Sequence, residues 1–167
     1  MERELYRREM LGARARSRRA MMTFIQRATE VNAPADKVFD FIDTPRRVPE
    51  WAAGITSVSE IRESEGRVGD TMKATYSVMG MRFPMRWTIT EHEKPTKLTF
   101  QARGGIGGKM GFFLEPSDGT TRVIWEVDYS LGWGLLGKVM DALFARRMSE
   151  RNSERTLEAL KAACEGD

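Results

Sequence analysis

Apolar and polar residues alternate along much of the middle of the chain. Over residues 71–78, Met72, Ala74, Tyr76 and Val78 interleave with Thr71, Lys73, Thr75 and Ser77. Over 81–90, Met81, Phe83, Met85, Trp87 and Ile89 interleave with Arg82, Pro84, Arg86, Thr88 and Thr90. Leu98, Phe100 and Ala102 oppose Thr99, Gln101 and Arg103, and Val123, Trp125, Val127 and Tyr129 oppose Ile124, Glu126 and Asp128. Strand side chains project to alternate faces, so this period of two predicts an antiparallel sheet with one buried and one wet face. Met85, Trp87, Phe100, Trp125 and Val127 are expected inside; Arg86, Thr88, Gln101 and Glu126 are expected outside. Residues 22–31 and 55–61 are further candidate strands, and turns fit at Met79-Gly80, Glu93-Lys94-Pro95, Gly104 to Gly108 and Ser117-Asp118-Gly119. Pro84 lies in the outward phase, which suggests an edge or a bulge.

The pattern changes in two places. In "VNAPADKVFDFIDTPRRVPEW", Pro34 suits a first helical turn, Asp36 meets the positive end of the helix dipole, and Val38, Phe41 and Ile42 form one apolar face. Thr44-Pro45 repeats the device as a hydroxyl cap and a first-turn proline. It opens a brief second helix that Pro49 interrupts and Gly54 ends, with Trp51 as its largest apolar group. From about Gly134 to Cys164 the period is helical, with a seam through Val139, Leu143, Arg146, Glu150, Ser153, Leu157, Leu160 and Cys164. That seam is apolar at both ends and polar in the middle. Either Arg146, Glu150 and Ser153 face the sheet, or the helix changes face midway and they are solvated.

Composition narrows the class. A chain of 167 residues fits one domain, and no apolar run approaches the roughly 20 residues that span a bilayer. The N-terminus lacks the apolar core of a secretory signal, and the single cysteine, Cys164, forms no internal disulfide, so a cytoplasmic location is expected. One cysteine and one histidine leave no Cys/His metal site, and no motif implies a cofactor. Residues 1–20 carry seven Arg and three Glu, a net +4, so the remainder carries −1. Residues 1–21 therefore read as a basic tail and 22–167 as the domain. The tail is a nucleic-acid or anionic-lipid contact, or a solvated extension. No aromatic side chain interleaves the arginines of residues 14–19 and three glutamates argue against a presequence, so no nucleic-acid partner is expected and the tail should be dispensable for folding.

The order strand, two short helices, about six strands and one long helix joins "VNAPADKVFDFI", "PEW", "DGTTRVIWEV" and "LEALK" over residues 22 to 163. Together these resemble the START/polyketide-cyclase (SRPBCC) superfamily. The resemblance implies an α+β helix-grip: a curved antiparallel sheet wraps the long helix, and the two short helices plug one end. It also implies a hydrophobic small-molecule partner, lipid or polyketide-like, held between sheet and helix. Aromatic polyketide cyclisation and a toxin-like or regulatory interaction role are the alternatives within the superfamily.

Candidate cavity residues follow from the inward phase and the helix. Trp51 would cap the space. Tyr76, Phe83, Met85 and Trp87 would line it from two strands, and Phe100, Trp125 and Tyr129 from two more. Trp133, Met140, Phe144, Arg146 and Glu150 would approach from the connection and the helix. Aromatic rings and thioethers suit an adaptable apolar cavity. Gly132, Gly134 and Gly137 flank Trp133 between the last strand and the helix, either as a tight turn or as a hinge for a lid. No catalytic constellation stands out, because the inward phase of the clear strands holds no Asp, Glu or His. Tyr76 and Tyr129 are the polar tips there, able to bind or protonate an enolate-like oxygen. "GGIGGKMG" fails the P-loop pattern, since Met110 follows Gly108-Lys109, and reads as a flexible hairpin. His92 reads as an exposed turn residue.

Overall fold

The structure, a computed structural model, describes residues 22–131 and 142–166. Among these, seven strands form one antiparallel sheet: β1 (Met22–Val31), β2 (Ile55–Arg62), β3 (Thr71–Val78), β4 (Met81–Glu93), β5 (Lys97–Gly104), β6 (Ile106–Ser117) and β7 (Thr120–Leu131). Their spatial order is β1-β7-β6-β5-β4-β3-β2. From β2 onward each strand pairs with its successor, whereas β1 pairs with β7. The two edges are thus β1 and β2, and the chain between them must cross the sheet. It does so as α1 (Ala35–Asp43), a 3-10 turn (Pro45–Arg47) and α2 (Val48–Trp51). The last described element, α3 (Ala142–Glu165), has 24 residues and is about 36 Å long. It packs most heavily on β1 and also touches α1, α2 and β7. This is the helix-grip arrangement.

The opening of α1 follows its sequence. Pro34 stands at the N-cap with extended backbone, Asp36 lies in the first turn, and Ala35, Val38, Phe39, Phe41 and Ile42 are buried. Two expectations fail next. Thr44 makes no side-chain capping bond; its hydroxyl donates instead to the Asp40 carbonyl at 2.7 Å, closing the end of α1. Pro49 does not interrupt the second helix but sits in the first turn of α2, where a missing N–H costs nothing.

A polar network locks this corner. The Arg67 guanidinium donates to the Asp43 carbonyl and carboxylate at 2.8 Å, and to Asp70 and Glu63 at 2.9 Å. Burial alone would depress the pKa of Arg67, but the Asp43 hydrogen bond and the surrounding carboxylates outweigh it and hold the guanidinium above its ordinary value. His92 joins the network: Nε2 lies 2.9 Å from the second Asp43 oxygen, and its ring packs edge-on against Phe39. It belongs to β4 and is only 15% exposed at the side chain, not an exposed turn residue.

The expected strand phase holds on the inner face. Met85, Trp87, Phe100 and Trp125 are buried in the main core, with Val127 packed against it. The outer face departs from expectation. Arg86 is exposed, while Thr88 and Gln101 are half-buried and Glu126 is only 2% exposed. Thr99 and Asp128 are buried on that side as well. The glycine-rich stretch is also not a free hairpin. Gly105 alone separates β5 from β6, and Gly107 and Gly108 lie within β6. A Cβ on Gly108 would stand 2.2 Å from the Asp128 carbonyl oxygen, so the backbone approach across β6–β7 requires glycine there.

Candidate functional site

Between the inner face and α3 lies an open apolar cavity of about 150 Å³. The sheet lines it with Tyr76 and Val78 of β3, Met81, Phe83, Met85 and Trp87 of β4, and Ala102 of β5. Ile106 to Met110 of β6 and Trp125, Val127 and Tyr129 of β7 continue the wall. The helix contributes Ala145, Met148, Ser149, Asn152, Ser153 and Thr156. Trp87 and Trp125 form the deep end together with rings that do not border the free space. Phe100 packs behind Trp87 with centroids 5.5 Å apart, and Trp51 packs against Trp87, Phe112 and Trp125 at 5.2–6.3 Å. Trp51 therefore backs the lining rings Trp87 and Trp125 and does not itself border the free space.

The helix face differs from the sequence seam by one residue over its first half. Phe144 is 47% exposed, Arg146 points to solvent, and Glu150 pairs with Arg146 at 3.2 Å and with Arg27 of β1 at 4.0 Å. None of the three lines the cavity. Ala145, Ser149 and Asn152 take those positions, and the two seams merge again at Ser153, Leu157, Leu160 and Cys164. Small and polar residues carry no hydrophobic periodicity, so the sequence offered no signal for them. Trp133, Met140 and the glycine-flanked connection lie outside the described residues.

Two phenols supply polarity. Asn152 Nδ2 donates to Tyr76 Oη at 2.8 Å, which leaves the Tyr76 proton available to an acceptor in the cavity. Burial pushes the Tyr76 pKa up, partly offset by the Asn152 bond and reinforced by Tyr129. The phenol thus stays neutral and donating beyond pH 10, its ordinary value. The ring owes its position to Gly54, which has φ +90° and where a Cβ would lie 2.3 Å from Tyr76 Cε2. Gly54→Ala is expected to displace the ring, break the Asn152 contact and cost about 1–3 kcal/mol through backbone strain. A thermal melt with the tyrosine ultraviolet difference spectrum would check both effects. Deeper in, Trp125 Nε1 donates to Ser153 Oγ at 3.3 Å, tying floor to helix.

Comparison with known proteins places these features. The family model for polyketide cyclase / dehydrase and lipid transport matches residues 22–165. A search of curated protein sequences finds no match. Among solved structures, the Zhui aromatase/cyclase from Streptomyces sp. R1128 aligns at TM-score 0.70 with 18% identity, over 86% of this chain and 94% of that one. A START superfamily protein from Mycobacterium smegmatis aligns at 0.71 with 14% identity, over 86% and 97%. A conserved protein from Geobacillus kaustophilus aligns at 0.71 with 10% identity, over 85% and 95%. At such identities these likenesses carry the fold alone, but the family model spans every element from β1 to the end of α3. The chain belongs to the polyketide cyclase / dehydrase and lipid transport family.

Proposed function

We propose that the protein binds a neutral, largely apolar small molecule, lipid or polyketide-like, that presents one hydrogen-bond acceptor to Tyr76. The carrying observation is an open apolar cavity whose Tyr76 hydroxyl is oriented by Asn152 and keeps its proton for a ligand. A volume of about 150 Å³ suits a benzene-sized ring. A larger body enters by rotamer shifts of Met81, Met85, Met110 and Met148, whose unbranched thioethers repack at low cost. The reading takes the protein to act in the cytoplasm. Among the described residues, no helix is long and apolar enough to cross a membrane.

Native mass spectrometry of freshly purified protein tests for a retained ligand, and fluorescent probes test the anchor. Tyr76→Phe is expected to weaken an acceptor-bearing polyaromatic ketone about 3–10-fold, the worth of one hydrogen bond, and to leave a pure hydrocarbon such as pyrene unchanged. Equal loss for both probes would show that Tyr76 only shapes the wall. Ala102→Leu fills the cavity itself and is expected to weaken both probes at least about tenfold. Binding of the ketone should be flat with pH up to about 10 and fall above it, because the donating form of Tyr76 is the protonated one. The same sign applies to stability: the contribution of the neutral phenol is complete below pH 10 and is lost as pH rises through the raised value.

A second reading, cyclisation of a poly-β-keto chain, draws support from the same proton. A phenol that accepts from Asn152 and donates inward is placed to protonate an enolate-like oxygen. Product analysis after incubation with a linear poly-β-ketone mimic separates the readings. A cyclised product lost in Tyr76→Phe favours catalysis, and unchanged, tightly bound mimic favours binding alone.

A further inference from the structure

The end of the cavity beside α2 carries hydrogen-bond donors whose protons meet no acceptor among the described residues. Trp87 lines the cavity at 3% exposure, and its indole Nε1–H is buried without a hydrogen-bond partner. Ser153 and Thr156, neighbours on one face of α3, line it too and are 2% and 4% exposed. Both hydroxyls act as acceptors. Ser153 Oγ accepts from Trp125 Nε1 at 3.3 Å, and Thr156 Oγ1 accepts from the Ala53 N–H at 3.1 Å. A hydroxyl that accepts still has its own proton to give. Helical serines and threonines often spend that proton on the carbonyl one turn back; neither does so here. Packing gathers these groups at one place. Trp51, two residues before Ala53, lies against both Trp87 and Trp125 with ring centroids 6.3 Å apart.

We infer that Trp87, Ser153 and Thr156 form a second polar subsite, so that the ligand carries two carbonyl groups, one for Tyr76 and one for this end. Burying a donor without a partner costs free energy, which a bound acceptor offsets. A carbonyl oxygen has two lone pairs and no proton, so it satisfies two of these donors at once and adds no buried donor of its own. A ligand hydroxyl would bring a further proton to place. A carboxylate would lose its water with no cation among these groups in return. The spacing of the two subsites follows from α3. Asn152 holds the Tyr76 hydroxyl, and Thr156 comes one turn later, about 6 Å along the helix. That separation matches two carbonyl groups on opposite sides of one ring. The inference rests on the cavity reading and narrows it to neutral dicarbonyl compounds, setting aside molecules with a single acceptor.

Three probes of nearly equal shape test it: para-diethylbenzene with no carbonyl, para-ethylacetophenone with one and para-diacetylbenzene with two. Binding to the full chain is read by NMR titration of the indole N–H signals, that of Trp87 being assigned by its loss in Trp87→Phe. The diketone is expected to bind about 3–10-fold more tightly than the monoketone, the worth of one further hydrogen bond, and to move the Trp87 indole proton downfield. Trp87→Phe and Thr156→Val should each remove most of that advantage, whereas Thr156→Ser, which keeps the hydroxyl, should retain it. A diketone no tighter than the monoketone in the unmodified protein overturns the inference whether or not the variants fold. The cavity reading then survives if the monoketone still outbinds para-diethylbenzene. An advantage unchanged in both Trp87→Phe and Thr156→Val overturns the inference equally. Failure of all three probes to bind removes the cavity reading and the second subsite together.

Discussion

Trp51→Ala is expected to remove about 3–5 kcal/mol of folding stability, the usual cost of emptying a large aromatic from a closed core. The side chain is 1% exposed and touches three other aromatic rings, one of which, Phe112, packs on Trp125 at 4.5 Å. The residue stands at the end of α2, so its loss also unpins the crossing segment from the sheet. Against a typical total of about 5–15 kcal/mol, such a deletion brings the protein close to unfolding. Urea denaturation would read it as a midpoint lowered by roughly 1–3 M at unchanged slope. Trp51→Phe should recover most of the loss, because it restores an edge-on ring. A midpoint within about 0.5 M of the parent for Trp51→Ala would mean that the aromatic floor holds without it.

Arg67→Leu is expected to cost a similar amount, about 3–5 kcal/mol, for a different reason. The Asp70 side chain is 6% exposed, and Arg67 is its cationic partner; Ser64 supplies its other bonds at 2.6–2.8 Å. Asp43 would keep only His92. Removing the guanidinium therefore leaves carboxylates in a poorly hydrated corner with part of their compensation gone. Arg67→Lys should restore only a fraction, since a single ammonium cannot reach Asp43 and Asp70 with paired donors. The cavity lies elsewhere, so probe affinity measured well below the melting temperature should be unchanged in both variants. A stability loss under about 1 kcal/mol for Arg67→Leu would show the network to be solvated and dispensable.

The parts of the fold that were legible in the sequence are those where one face packs and the other does not. Met85, Trp87 and Ile89 alternate with Arg86 and Thr88 because β4 has such an arrangement, and the phase read from them holds. The strand β6 was hidden because it is buried on both sides: Phe112 belongs to the inner core, Phe113 to the outer cluster, and Leu114 to the inner again. Glu126 misled for the complementary reason: it is only 2% exposed and accepts a hydrogen bond from Gln26 of β1, so its charge does not mark solvent. On α3 the apolar seam locates the packed half of the helix and fails over the cavity, which Ser149 and Asn152 line and where no hydrophobic contact selects them. His92 looked solvated among acids, yet one of those neighbours in space, Asp43, comes from α1 some 49 positions away. Periodicity reports a residue's own element and is blind to what a distant element brings to it.

The pairing of β1 with β7 carries a consequence for how the chain is made. Gln26 and Glu126, partners across that ladder, are separated by 100 positions, while β2 to β7 close through short hairpins. Contacts of such long range form late, because the loop must be closed before they contribute. During N-to-C synthesis β1 emerges first and waits, with its edge open, until the rest of the sheet has left the ribosome. The helix that completes the cavity follows all seven strands. The cavity is therefore complete only once α3 has emerged, and a ligand has no pocket to enter before then.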